Sequence, residues 1–175
     1  VSKVENCYIH DNSSVGYAGG IYVYGNSSNR VNVINSSIEN NTSGYIGGGM
    51  YIKGYVDMIG CNIANNTATS EAGGGYLSYY TNIVNCNIVN NYTTSTSSSV
   101  TGGLYLGASN TTKVTNTIVW GNKRGDGSAS NLSESADPIV SYSAVEGGRV
   151  GTANITISSS NTGDGDALYP KFSSP

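Results

Sequence analysis

Five asparagines constrain this chain more than any other feature. Asn12, Asn41, Asn66, Asn91 and Asn122 each stand five residues after one of Cys7, Ser36, Cys61, Cys86 and Thr117, and those anchors are spaced by 29, 25, 25 and 31 residues. Two positions after each anchor comes an apolar residue: Ile9, Ile38, Ile63, Ile88 and Val119. Three positions before it comes another: Val4, Val33, Met58, Ile83 and Val114. The position just before the anchor is Asn6, Asn35, Gly60, Asn85 or Asn116. A second block recurs between anchors as Gly19-Gly20-Ile21-Tyr22-Val23, Gly48-Gly49-Met50-Tyr51-Ile52, Gly74-Gly75-Tyr76-Leu77 and Gly102-Gly103-Leu104-Tyr105-Leu106.

Within each unit the apolar positions alternate, which is the period of a strand. Gly, Asn and Ser punctuate between them. A unit of this size cannot bury its apolar face alone, so the units must stack. The expected fold is all-β: a single-stranded parallel β-helix, a solenoid of about six coils, roughly 30 Å long at the usual strand spacing. The Ile9/Ile38/Ile63/Ile88/Val119 column fills the core. The Asn12/Asn41/Asn66/Asn91/Asn122 column forms an amide ladder at a turn, where asparagine also tolerates left-handed backbone. Residues 1–122 are the repeating coils; residues 123–175 are an irregular last coil and a C-terminal capping segment of the same domain. In that segment Val145 continues the Ile column, 123–138 and 147–167 read as loops, and Leu168-Tyr169-Pro170-Lys171-Phe172 reads as an apolar clasp over the open end. Tyr92 to Thr101 is a protruding insertion. A β-sandwich of short strands is the alternative architecture.

Composition narrows the function classes. Asn, Ser and Thr make up 63 of the 175 residues, and only 11% are charged. No apolar run is long enough for a transmembrane helix, so the chain is not expected to span a membrane. The net charge of −3, without a basic cluster, argues against nucleic acid as a partner. The chain opens Val1-Ser2-Lys3 without an initiator Met or a leader, and it is expected to be a piece of a longer polypeptide.

The alternation of the Gly-Gly-[Ile/Met/Leu]-Tyr block with Ile9-His10-Asp11-Asn12, Ile38-Glu39-Asn40-Asn41, Ile63-Ala64-Asn65-Asn66 and Ile88-Val89-Asn90-Asn91 resembles the repeats of polymorphic outer membrane proteins. The run Val114-Thr115-Asn116-Thr117-Ile118-Val119-Trp120-Gly121-Asn122 is similar to the last coil of prokaryotic surface proteins with pectate-lyase-like right-handed β-helices, and Val140 to Gly148 and Leu168 to Phe172 fit the same closing segment. The resemblance covers nearly the whole chain. It implies right-handed winding and an extracellular or cell-surface location in a prokaryote. It does not imply an activity, because this architecture hosts lyases, hydrolases, adhesins and passive stalks.

The three cysteines fall in one inward column that also accepts Ser36 and Thr117, so they read as small core residues with free thiols. No Cys/His set supports zinc, and neither a metal nor a cofactor is expected. His10 is the only histidine; it is placed beside Glu39 of the next coil, with Asp11 adjacent, a trio suited to acid–base chemistry or to a solvated turn. No acidic column recurs from coil to coil, and Arg30, Arg124 and Arg149 fall in loops. Asp164-Gly165-Asp166 is a weak calcium signal.

If Ile21 and Val23 point inward, Tyr22 points out. Tyr22, Tyr51, Tyr76 and Tyr105 then form an aromatic column, the candidate binding face, where sheet stabilisation and glycan contact are the two roles open to it. Ten Asn-x-Ser/Thr triplets occur; Asn26, Asn110, Asn131 and Asn154 are expected in loops and open to glycosylation, and Asn41 is expected to be buried. The expectation is an extracellular structural or adhesive module whose partner is a polysaccharide or a cell-surface glycan. End-to-end self-association is a further expectation. The alternative is a polysaccharide lyase or glycoside hydrolase domain.

Overall fold

The computed structural model describes residues 2–107, 112–134, 138–148 and 152–157. Among them every regular element is a strand, and the strands stack in parallel as a β-solenoid of about five turns, close to the six expected. Sheet A contains Ser2–Glu5, Val31–Ile34, Val56–Ile59, Thr81–Val84, Lys113–Thr115 and Ile139–Ser141. Sheet B contains Tyr8–His10, Ser37–Glu39, Asn62–Ala64, Asn87–Val89, Ile118–Trp120, Ala144–Glu146 and Ile155–Ile157. Sheet C is built of two-residue strands: Ser13–Ser14, Thr42–Ser43, Thr67–Ala68 and Tyr92–Thr93. Sheet D contains Ile21–Gly25, Met50–Gly54, Gly75–Ser78, Leu104–Leu106 and Leu132–Glu134. The first four coils visit them in the order A, B, C, D; the next passes from sheet B to sheet D with only an isolated bridge, Lys123 to Tyr92, at the place of sheet C. Two strands fall where loops were expected: Leu132–Glu134 pairs with Leu104–Leu106, and Ile155–Ile157 pairs with Ala144–Glu146. The expected insertion also begins as a strand, since Tyr92–Thr93 pairs with Thr67–Ala68. The clasp at 168–172 and the Asp164-Gly165-Asp166 turn lie outside the described residues.

Two left-handed residues per coil turn the corners on either side of sheet B. Between sheets A and B these are Asn6, Asn35, Gly60, Asn85, Asn116 and Tyr142; between sheets B and C they are Asp11, Asn40, Asn65, Asn90 and Gly121. The second set corrects an expectation: the residue before each ladder asparagine takes the positive φ, and the ladder residue does not. Asn and Gly dominate both sets because they visit this region at low cost.

The inward columns are dry. Val33, Met58, Ile83 and Val114 of sheet A, Ile38, Ile63, Ile88 and Val119 of sheet B, and Ile52, Leu77 and Leu106 of sheet D are fully buried. Each such side chain contributes about 1.5–3 kcal/mol by leaving water. In the Ile21/Met50/Gly75/Leu104 column, Met50 leans into the space that a side chain at position 75 would need. An unbranched thioether suits that irregular gap.

The ladder runs through the interior in one direction. Asn12 Nδ2 donates to Asn41 Oδ1 at 3.0 Å, Asn41 to Asn66 at 3.0 Å, Asn66 to Asn91 at 3.0 Å and Asn91 to Asn122 at 2.9 Å. From Asn41 to Asn122 each amide also donates backward to a sheet B carbonyl, as Asn66 does to Ile38 O at 2.8 Å. The Gly-Gly block exists for this ladder. A Cβ on Gly49 would meet the Asn66 amide, and one on Gly48 would collide with the Gly73 carbonyl of the next coil.

A second polar ladder uses the anchor residues. Ser36 Oγ donates to Ile34 O at 2.8 Å and accepts the Cys7 N–H at 3.2 Å. Thr117 and Ser143 repeat this, with Thr117 accepting from Cys86 N and Ser143 from Thr117 N. The column is therefore a hydrogen-bonding rung at every corner as well as small core packing. All three thiols are free; Cys61 and Cys86 are buried, and Cys7, whose Sγ meets Glu5 O as that of Cys61 meets Ile59 O, keeps the same column but is exposed on the edge coil.

Candidate functional site

The tyrosine column forms in the expected register. Tyr22 pairs with Tyr51, Tyr51 with Tyr76 and Tyr76 with Tyr105 on adjacent strands of sheet D. The alternation of the strand puts Ile21 and Val23 on the inner face, so each ring stands outside. Centroids of successive rings are 5.2, 5.1 and 4.4 Å apart, with planes within 5°, 7° and 11° of parallel. Tyr17 packs edge-on to Tyr51 at 5.0 Å and to Tyr45 at 5.3 Å, which widens the aromatic face toward sheet C.

This geometry has a chemical consequence. The rings lie face to face with one another, so the column offers solvent its edges and hydroxyls, repeated once per coil. Burial pushes the Tyr76 hydroxyl up to about 12, with Tyr105, Tyr51 and Glu71 adding to the shift. The column is a row of hydroxyl donors and acceptors, repeated coil by coil on an apolar support.

Other features of the surface were not legible. Tyr55 and Tyr80 stack at 4.3 Å, and the Arg30 guanidinium lies over the Tyr55 ring at 5.9 Å. Their spacing of 25 residues was the available signal. Arg30 leaves its turn to grip Asp57 on the outer face of sheet A through both Nε and Nη2, the latter at 2.7 Å from Asp57 Oδ1, and Asn82 donates to the same carboxylate from the next coil. The Arg30 hydrogen bonds hold the Asp57 carboxyl below its ordinary range against the opposing effect of burial, with Asn82 reinforcing them.

The His10 grouping assembles as expected. His10 and Glu39 are register partners, His10 Nδ1 lies 2.7 Å from Asp11 Oδ2, and the Tyr8 hydroxyl donates to Glu39 Oε2 at 3.3 Å while its ring stacks on His10 at 4.1 Å. Glu39 also accepts from Ser37 and, at 2.8 Å, from Asn62 Nδ2. Both His10 and Asp11 are exposed to solvent.

One expected glycosylation site is corrected. Asn131 is buried, and its Oδ1 accepts from Asn122 Nδ2 at 2.9 Å, which makes it a further rung of the ladder. The Asn154 amide is engaged with Val140 O at 2.9 Å and Ser143 N at 3.1 Å. Asn26 is exposed at a turn, its Oδ1 accepting the Ser28 and Asn29 N–H groups. Asn110 and Arg149 lie outside the described residues. Among the described residues no group of three metal-ligating side chains occurs, and no helix is long and apolar enough to cross a membrane. No family model, curated protein or solved structure matches this chain.

Proposed function

We propose that this chain is a rigid structural and adhesive module of a secreted or cell-surface prokaryotic protein, and that it holds an extended glycan along the tyrosine column. The observation that carries the proposal is the in-register stack of Tyr22, Tyr51, Tyr76 and Tyr105. A rod of fixed pitch with one phenol per coil matches a polymer that repeats along its length, and mutual stacking keeps the rings ordered before the ligand arrives. The location, the right-handed winding and the kinship with pectate-lyase-like and polymorphic outer membrane protein repeats rest on the resemblance of the repeat motifs. The test is to incubate the domain with a panel of polysaccharides and score both retention and chain length. Retention without shortening, lost in Tyr51→Ala/Tyr76→Ala, supports the proposal; retention unchanged in that variant removes the column from it.

A second reading, a polysaccharide lyase or glycoside hydrolase, draws on the His10–Asp11 contact beside Glu39. It requires shortened products in the same assay and their loss in His10→Ala.

A further inference from the structure

The corner where the chain leaves sheet D for sheet A holds a cleft outside the tyrosine column. Its volume is about 360 Å³, and Tyr24, Asn26, Lys53, Tyr55, Tyr79 and Tyr80 line it. Gly25 and Gly54, register partners at the ends of their strands, complete the lining and put no side chain into the corner. A Cβ on Gly54 would collide with the Gly25 carbonyl, and one on Gly25 with the Tyr55 carbonyl, so the coils meet backbone to backbone here. Tyr24 is in register with Lys53, and Lys53 with Ser78. Tyr24 and Lys53 stand on the outer face of sheet D, two residues beyond Tyr22 and Tyr51, so the cleft opens about 7 Å from the column along the strands.

Tyr79 is the unusual member. It follows Ser78 as Gly54 follows Lys53, and it takes the same left-handed backbone, with φ 68° against 97°. Glycine enters that region freely, whereas a bulky aromatic residue does so rarely and under strain. The chain therefore holds a ring at a corner where the preceding coil has none, and strain of this kind gathers at ligand sites. Tyr24 and Tyr79 are both exposed, and among the described residues neither ring has a stacking partner.

We infer that this cleft binds a tetrahedral oxyanion ester, the sulfate or phosphate group of a substituted sugar, with Lys53 as its counter-ion. Charge decides the sign of the ligand. Four tyrosines around a cleft would suit an organic cation, but Lys53 among them repels one. Among the described residues Lys53 makes no ion pair, and no carboxylate lines the cleft. The Asp57 carboxylate is taken by Arg30, whose guanidinium lies over the Tyr55 ring. One positive charge is thus left uncompensated beside the phenol hydroxyls.

Donor placement decides the shape of the ligand. Lys53 offers three N–H donors from its strand. Asn26 spends its Oδ1 on the Ser28 and Asn29 N–H groups, which leaves its Nδ2 donors at a turn. Tyr79 and Tyr80 bring hydroxyls from a third element. A carboxylate takes hydrogen bonds close to its own plane, whereas a sulfate or phosphate ester presents three oxygens in different directions. The rings of Tyr24 and Tyr79 supply flat apolar surface for the sugar that carries the ester. That the carrier is a sugar rests on the glycan reading of the adjoining column; recognition of the oxyanion does not.

The test uses monosaccharides, which are too short to need the column. The isotope-labelled domain is titrated with galactose, with galacturonate, and with the sulfate and phosphate esters of galactose at its primary hydroxyl, and the amide resonances are followed. The expected result is a saturable shift of the Tyr24, Lys53 and Gly54 amides with at least one ester, about tenfold or more tighter than with galactose or galacturonate. Comparison of the two esters tells sulfate from phosphate. Lys53 is exposed, so Lys53→Met should fold normally and lose the preference, and Lys53→Arg should regain it. No binding of either ester, equal binding of galactose or galacturonate, or an undiminished preference in Lys53→Met overturns the inference. Failure of the tyrosine column shows separately, as polysaccharide retention indifferent to Tyr51→Ala/Tyr76→Ala while ester binding persists.

Discussion

The Asn131 amide donates to the Glu146 carboxylate at 3.0 Å, and through this contact the interior ladder ends on a charge. From Asn12 to Asn131 every amide donates in the same direction, so the chain of dipoles requires a final acceptor, and a carboxylate is a stronger one than another amide. Glu146 also caps the Gly121 N–H. Glu146→Ala is expected to destabilise the fold by about 1–3 kcal/mol, the cost of leaving donors without partners. Asn66→Ala should cost more, because Asn66 makes four bonds in the middle of the ladder, donating to Ile38 and Asn91 and accepting twice from Asn41. Asn66→Asp should be worse still: its buried carboxylate would face the Ile38 carbonyl and the Asn91 carbonyl oxygen with no proton to offer. Urea denaturation of the three variants checks the order, and equal midpoints for Ala and Asp would remove the directional ladder from the account.

Acid should act on the Arg30–Asp57 clamp. Hydrogen bonding from Arg30 depresses the Asp57 carboxyl in the folded state, while in the unfolded chain it titrates near the ordinary value of about 3.9. A depressed carboxylate contributes stability that is present above the unfolded value and is lost as pH falls through the folded one. The melting temperature should therefore drop below about pH 4, and Asp57→Asn should flatten that drop while lowering stability at neutral pH. An identical acid profile in the variant would show that the clamp contributes nothing.

The repeat made the interior legible and left most of the surface hidden. A column such as Ile38, Ile63 and Ile88 is stated by the sequence several times over, because every coil must bury the same inner face. Tyr22, Tyr51, Tyr76 and Tyr105 were placed by the same logic, since alternation forces them outward once their neighbours are inside. His10 and Glu39 followed from the frame as well. Asn131 did not: it follows Asn122 by only 9 residues and has no anchor five positions before it, so nothing in the period marks it as a rung. Arg30 reaches Asp57 from a turn, where spacing carries no information.

Alkali should loosen the tyrosine column. The Tyr76 hydroxyl, pushed up to about 12 by burial and then by Tyr105, lies above the unfolded value of about 10. Its contribution to stability is present below the unfolded value and is lost as pH rises through the folded one. Between about pH 10 and 12 the unfolded chain ionises this group while the folded one resists, so stability should decline across that window. Ultraviolet titration of the phenolate band should show a late-ionising tyrosine in the native protein that Tyr76→Phe removes. A variant whose titration matches the wild type would place the late step elsewhere.

Ser43 tests the interior from the opposite side. Its hydroxyl is fully buried on the inner face of sheet C and has no hydrogen-bond partner among the described residues. Its register partner on the next coil is Ala68, also fully buried. The alanine at the same place shows that the column accepts a methyl group without distortion. An unsatisfied buried hydroxyl costs about 1–3 kcal/mol, whereas an apolar group of similar shape carries no such penalty. Ser43→Ala should leave a void no larger than one oxygen atom, so the loss of packing is small against that gain. The variant is therefore expected to be more stable than the wild type by up to about 1 kcal/mol, visible as a higher urea midpoint at an unchanged slope. A lower midpoint would mean that the Ser43 hydroxyl has a partner in solution, such as a buried water, whose bonds are worth more than the desolvation they offset.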